Sequence, residues 1–208
     1  MVLSEGNGTF DRIMSNANFK QAGANTAITR ILAISGSLRS HSSNTALLEA
    51  AALVAPQGVE ITVYGGVGNL PHFNPDLEDM ESPTVSEYRR QLQKADGVLI
   101  SSPEYAHGVP GVMKNALDWV VGSGELVNKP VALLNASLRS TYAQASLLET
   151  LTVMSARVIP QACITFPHWD KTLDAAGIAS HAQISRLLRE SLDELIRAIR
   201  REEAQSPA

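Results

Sequence analysis

Side chains able to hold an anion crowd into one short stretch, Ser35-Gly36-Ser37-Leu38-Arg39-Ser40-His41-Ser42-Ser43-Asn44-Thr45. It follows a mostly aliphatic run, Arg30–Ile34, of the kind that forms a strand buried on both faces. A helical pattern begins near Asn44 and carries Ala46, Leu47, Ala50, Ala51 and Val54 on one face. The N-terminus of such a helix leaves backbone N–H groups unpaired and bears partial positive charge. Ser35, Ser37, Ser42, Ser43, Asn44 and Thr45 can add donors, and Arg39 a full charge. The stretch reads as a phosphate cradle. It has neither the G-x-x-x-x-G-K-[ST] pattern nor the G-x-G-x-x-G fingerprint, so one phosphate held by hydroxyls fits better than a pyrophosphate, which points to a mononucleotide. The plainer alternative is a Ser-rich connection with an Asn cap on the helix, because Ser and Asn are also common N-cap residues.

A second constellation is Ser101 to Trp119, S-S-P-E-Y-A-H-G-V-P-G-V-M-K-N-A-L-D-W. Its prolines fix the backbone, and its glycines let a flat ligand come close to the peptide groups. Tyr105 and His107 offer flat or polar faces, and the loop's N–H and C=O groups could read the edge of a heterocycle. Glu104 has no partner carboxylate or metal ligands in its neighbourhood, so it is weak as a catalytic acid. Asp118 and Trp119 are expected to be structural, the first in an internal hydrogen bond and the second packed. His72 and Phe73, in L-P-H-F-N-P-D, suit either a pocket wall or a loop anchor. The five histidines (His41, His72, His107, His168 and His181) share no metal-ligand spacing, so no metal site is expected. Cys163 lies in an apolar stretch and is expected in the core.

The elements that must position these residues alternate strand and helix from Arg30 onward. Strands are expected at Arg30–Ile34, Val59–Tyr64, Asp96–Ser101, Lys129–Asn135 and, interrupted by Pro160, within Arg157–Phe166. Helices are expected at Asn44–Ala55, Thr84–Lys94, Pro110–Val121, Ala143–Ala156 and about Ile178–Glu203. Such alternation predicts an α/β protein: a flavodoxin-like, doubly wound, five-stranded parallel sheet, order 2-1-3-4-5, with helices on both faces. Its ligand would sit beyond the carboxyl ends of the strands, where the loops after strands one, three and four meet.

At 208 residues the chain suits one domain of this kind, residues 30–203, with a polar N-terminal arm (residues 1–29) and a short tail (residues 204–208). The arm is expected to be flexible or to contact a neighbouring subunit, and it lacks the basic-then-apolar pattern of a secretory signal. A formal net charge of -4 argues against nucleic-acid or anionic-membrane surfaces, and no apolar run could span a bilayer. A single cysteine excludes a disulfide scaffold and fits a reducing, cytoplasmic setting.

The chain resembles the NADPH-dependent FMN reductase family of flavodoxin-like proteins, which includes quinone, azo and chromate reductases. The resemblance covers about Arg30 to Arg200. It rests on G-S-L-R-x-x-S-x-N at Gly36–Asn44, L-P-x-F-N-x-D at Leu70–Asp76, and P-E-Y-x-x-G-x-P-G-x-x-K-N-x-x-D-W at Pro103–Trp119. It implies non-covalent FMN, with NADPH or NADH as electron donor and a small molecule as electron acceptor. By position, Ser35, Ser37, Arg39, Ser42, Asn44 and Thr45 look like the phosphate loop, and Pro103, Glu104, Tyr105 and His107 like the flavin-ring loop. Ser137 and Tyr142, after the fourth strand, complete the implied cofactor contacts. A homodimer or homotetramer with active sites near a subunit interface is also implied.

One departure stands out. The family commonly has a glycine-rich loop after the fourth strand, whereas Asn135-Ala136-Ser137-Leu138-Arg139-Ser140-Thr141-Tyr142 contains no glycine. Tyr142 could stack or cap there, and Arg139 could meet a phosphate of the flavin or of the nicotinamide nucleotide. The resemblance implies hydride transfer from nicotinamide to flavin N5 and on to an acceptor in a ping-pong scheme. It needs no catalytic side chain, because the cofactor carries the chemistry. The missing glycines are compatible with a second class of function, a non-catalytic FMN-binding redox sensor; against a third, an electron carrier of flavodoxin type, stand the modest net charge and the K-N-x-x-D-W helix that matches reductases.

Overall fold

The computed structural model describes residues 28–78, 82–167 and 169–203. Six strands form one parallel sheet: β1 (Thr29–Ser35), β2 (Val59–Tyr64), β3 (Gly97–Ser101), β4 (Pro130–Asn135), β5 (Arg157–Val158) and β6 (Ile164–Thr165). The order is β2-β1-β3-β4-β5, with β6 also paired to β4. β5 and β6 are the two halves of the expected fifth strand. Pro160 opens a one-turn helix between them, and both halves return to β4, at Val131↔Val158 and Leu134↔Ile164. Proline cannot donate to the ladder, which accounts for the split.

Alternate residues of the central strands point to two separate cores. Ile31, Ala33, Leu99, Ala132 and Leu134 face one; Leu32, Ile34, Val98, Ile100, Val131 and Leu133 face the other. The first core is roofed by α1 (Ser43–Leu53), α5 (Ala175–Ser180) and α6 (Ala182–Glu203). The second is roofed by α2 (Pro83–Lys94), α3 (Gly111–Asp118) and α4 (Tyr142–Val153). Burial on both faces is why β3 and β4 are apolar along nearly their whole length.

The helix boundaries differ from expectation in informative places. The closing segment is two helices, not one starting at Ile178. His181 leaves the helical conformation, and its Nδ1 accepts from the Ile184 N–H at 3.4 Å, so it caps the start of α6. Along α6, Ile184, Leu188, Leu192, Leu195, Ile196 and Ile199 are buried, as their spacing predicts. In α1, Leu48 is buried together with Leu47, because the helix is covered by α5 and α6 as well as by the sheet. The expected arm, apart from residues 28 and 29, and the expected tail lie outside the described residues. No helix among the described residues is long and apolar enough to cross a membrane.

Candidate functional site at the carboxyl edge of the sheet

The loop after β1 folds on its own hydroxyls. Ser35 Oγ and Thr45 Oγ1 share a hydrogen bond of 2.8 Å; the Ser37 N–H donates to Ser35 Oγ at 3.2 Å and the Arg39 N–H to Ser37 Oγ at 3.4 Å. The N-cap of α1 is Ser42, whose Oγ accepts from the Thr45 N–H at 3.4 Å. Asn44 is therefore not the cap. It sits inside the first turn with Oδ1 turned to the Ser101 hydroxyl, 3.0 Å away, and that hydroxyl also reaches the Leu134 carbonyl at 2.8 Å. Ser101 thus ties the ends of β3 and β4 to the first turn of α1. Gly36 is required at this crossing: its N–H donates to the Ser101 carbonyl at 2.9 Å, and a Cβ there would stand 2.2 Å from Ser102 Oγ. The Ser43 and Asn44 N–H groups belong to the first turn of α1 and have no backbone acceptor within the helix.

The loop after β3 is shaped by strain. Ala106 (φ 49°) and His107 (φ 58°) are both left-handed, in a two-residue turn closed by Tyr105 N–H to Gly108 O at 3.2 Å and Gly108 N–H to Tyr105 O at 2.9 Å. Neither residue is Gly or Asn, so each costs of order 1–3 kcal/mol that the surroundings must offset. Glu104 is central to those surroundings. One carboxylate oxygen accepts from the Ala143 N–H at 2.9 Å, and the other lies 3.1 Å from His107 Nδ1. Thr141, the N-cap of α4, makes no side-chain capping bond, so Glu104 caps that helix from another loop. The Ala143 N–H, with smaller help from His107, holds the Glu104 carboxyl below the usual glutamate range. The His107 ring meets the Tyr142 ring edge-on at 4.5 Å.

The glycine-free loop after β4 is built on side-chain bonds. Asn135 Oδ1 accepts from the Ser137 N–H at 3.1 Å and Asn135 Nδ2 donates to the Ser140 carbonyl at 3.0 Å. The loop after β2 is held from α3: the Asn115 amide accepts from the Phe73 N–H at 2.7 Å, and Asn115 Nδ2 and Trp119 Nε1 both donate to the Pro71 carbonyl, at 3.0 and 2.7 Å. Phe73 packs edge-on against Trp119 at 5.2 Å, which makes it a loop anchor. Trp119 is buried, as expected, whereas Asp118 makes a surface pair with Lys114 one turn earlier in α3 rather than an internal hydrogen bond.

Ser37, Arg39, Ser42, Asn44, Pro103, Glu104, Tyr105 and Ser137 all line one cleft of ≈ 190 Å³. The other four expected cofactor contacts are not in its lining: Ser35 and Thr45 bond to each other, and His107 and Tyr142 meet ring to ring beside Glu104. Adjoining spaces of ≈ 450 Å³ and ≈ 380 Å³ open on either side of Arg39, which lies on the wall of all three. A larger apolar cavity, ≈ 570 Å³, lies between α4 and the β5–β6 edge and contains none of these residues. The carboxyl-edge cleft is the stronger candidate because it joins polar groups from several strand ends at the switch between β1 and β3. Pattern reading missed Ser101 and Asn135, polar residues closing otherwise apolar strands, and Lys171, which lines the cleft from the loop after β6. Cys163 is half-buried beside the Leu133 N–H at 3.3 Å, and burial pushes its thiol up, away from reactivity. Among the described residues no group of three or more His, Cys, Asp or Glu could hold a metal ion.

Comparison with known proteins identifies the family and the fold. Residues 29–171 match the family model for NADPH-dependent FMN reductase. The chain is 32% identical over 178 residues to an NAD(P)H-dependent FMN reductase of Pseudomonas aeruginosa, covering 83% of this chain and 96% of that protein. It is 32% identical over 155 residues to a 2-hydroxy-1,4-benzoquinone reductase of a Burkholderia species, covering 71% of this chain and 84% of that one. Among solved structures, the flavoenzyme NAD(P)H:(acceptor) oxidoreductase FerB of Paracoccus denitrificans superposes with a TM-score of 0.74 at 26% identity, over 84% of this chain and 98% of that chain. The chain belongs to the NADPH-dependent FMN reductase family.

Proposed function

We propose that the protein is an NAD(P)H-dependent flavin oxidoreductase whose cleft holds FMN and serves a small acceptor such as a quinone, azo compound, chromate or free flavin. The observation that carries this reading is the convergence of the loops after β1, β3 and β4 on one cleft, with the first-turn N–H groups of α1 at one end and exposed rings at the other. The residues fit the cofactor. Buried Ser37, Ser42 and Asn44 with Arg39 suit a phosphate monoester, and Pro103 and Tyr105 suit the edge of a flat heterocycle. Bound FMN supplies the hydride relay between nicotinamide and acceptor. The chain's own part is positioning: Ser35 and Thr45 brace the phosphate loop, and Glu104 ties the ring loop to α4.

Tyr105 and Tyr142 are more than half exposed, so the rim is open enough for donor and acceptor to use it in turn, in a ping-pong scheme. Exposed apolar side chains along α4, Tyr142, Leu148 and Val153, support a homodimer or homotetramer. The free thiol of Cys163 is compatible with a cytoplasmic setting.

The test is a visible spectrum of the purified protein with FMN, followed by anaerobic NADPH or NADH. Fast bleaching of the flavin band by either nucleotide is expected. Tight FMN binding that neither nucleotide reduces would favour a sensor or carrier, and absence of FMN binding would remove the assignment.

A further inference from the structure

Lys171 belongs to none of the motifs that identify the cofactor site, yet the fold goes to some length to place it. The loop after β6 turns on Asp170, whose Oδ1 accepts from the Thr172 N–H at 2.9 Å and from the Thr172 hydroxyl at 2.6 Å. The Ser43 hydroxyl, in the first turn of α1, donates to the Lys171 carbonyl at 3.4 Å, so this loop is stitched to the phosphate loop. The Lys171 side chain folds back over the cleft. Its Nζ donates to the Ala136 carbonyl and lies 5.3 Å from the centre of the Trp169 ring. Trp169 Nε1 donates to the same carbonyl at 3.4 Å, which fixes the wall against which the ammonium rests.

The charges around the cleft are unbalanced. Lys171 and Arg39 line it together, and Arg139 is close enough to act on Lys171. Among the described residues, none of the three has a carboxylate oxygen within 4.0 Å. Partial burial, and then the Arg139 charge, push the Lys171 ammonium below the usual lysine range. Like charges gathered without a counter-charge are unfavourable until an anion joins them. Among the residues sharing that space, Ser42, Ser43 and Asn44 are the N-cap and first two residues of α1.

We propose that Lys171 is a direct ligand of the FMN phosphate, brought to the cleft by the loop after β6. The proposal rests on the FMN reading above. It makes the phosphate site a clamp of two loops, and it makes this chain discriminate FMN from riboflavin by charge as well as by hydroxyl and backbone donors.

The experiment compares FMN and riboflavin binding to flavin-stripped protein by quenching of flavin fluorescence, for the wild type, Lys171→Met and Lys171→Arg. A hydrogen bond to a charged group is worth enough that Lys171→Met should loosen FMN by about ten- to a hundredfold. Riboflavin affinity should stay within about twofold of wild type, since it lacks the group that the charge recognises. Lys171→Arg, which keeps the charge, should retain most of the FMN affinity. The loss in Lys171→Met should also shrink at high salt. Unchanged FMN binding in Lys171→Met would overturn the proposal. So would equal losses for FMN and riboflavin, which would mean that the lysine only shapes the loop. A rise in the KM for NADPH with FMN binding intact would overturn it as well, by giving the charge to the donor's phosphate. Wild-type protein that binds no FMN would instead remove the parent reading, so the two failures are distinct.

Discussion

At one end of the cleft Ser35, Ser37, Ser42 and Asn44 are buried, with Ser35 bonded to Ser37, Ser42 to Thr45 and Asn44 to Ser101; at the other, Tyr105 and His107 stand in solvent at a strained turn, with Tyr142 exposed at the start of α4 beside them. Both ends belong to loops that leave neighbouring strands, so the contrast is local. The buried end has fixed donors arranged before any ligand arrives, and such donors need no reorganisation on binding. The exposed end offers flat faces with room between them, which holds a ring loosely and admits partners of different shape. The division suits a cofactor that must stay while its reaction partners come and go. It predicts that substitutions at the buried end act on flavin affinity, whereas those at the exposed end act on turnover and local stability.

The largest effect should come from Gly36→Val. A Cβ at this position would lie 2.2 Å from Ser102 Oγ and 3.1 Å from Ser102 Cα, so the ends of β1 and β3 must separate. Overpacking of this kind costs about 1–3 kcal/mol in stability, and the displaced first turn of α1 should weaken FMN by about a hundredfold or more. Thermal melting and flavin titration check the two parts. Unchanged FMN affinity in a folded variant would place the phosphate elsewhere and erase the contrast between the ends.

Asn44→Ala should do less. The Ser101 hydroxyl keeps the Leu134 carbonyl, so no buried donor is orphaned, but the link from β3 to the first turn of α1 is lost. A net loss of about 1 kcal/mol is expected, with FMN loosened by about fivefold to tenfold and the acceptor KM unchanged. If the acceptor KM moves and FMN affinity does not, the two ends are not separable by function.

How far the sequence could be read differs between the ends in the same way. The cluster of donors after β1 was legible because its chemistry is local: Ser35 to Thr45 are contiguous, and a strand–loop–helix pattern says where their donors point. The sheet order was legible because aliphatic strands alternate with amphipathic helices. The link from Asn44 to Ser101 was not legible, since the two lie 57 residues apart and no spacing rule connects them. Lys171 was missed for the same reason, because only the return of β6 to β4 brings its loop to the cleft. The missing glycines after β4 looked like a loss of room. Asn135 shows the alternative, a turn closed by side-chain hydrogen bonds in place of glycine's conformational freedom.

The smallest effect tests the exposed end through Glu104. Glu104→Gln keeps the shape and an oxygen for the Ala143 N–H but removes the negative charge from the start of α4, where the helix dipole favours it. FMN affinity should stay close to wild type, and the melting temperature near neutral pH should fall slightly. The pH dependence gives the sharper measurement. The Glu104 carboxyl is lowered in the folded protein, chiefly by the Ala143 N–H, so its contribution is complete above the ordinary glutamate value and is lost as pH falls through the lowered folded value. The gap between the wild type and Glu104→Gln should therefore be widest near neutrality and narrow in acid, as the pH falls below the ordinary glutamate value and through the lowered folded one. A gap that stays constant into acid would mean that Glu104 acts through its shape alone. In that case the strained turn at Ala106 and His107 is held by packing, and the exposed end is as preformed as the buried one.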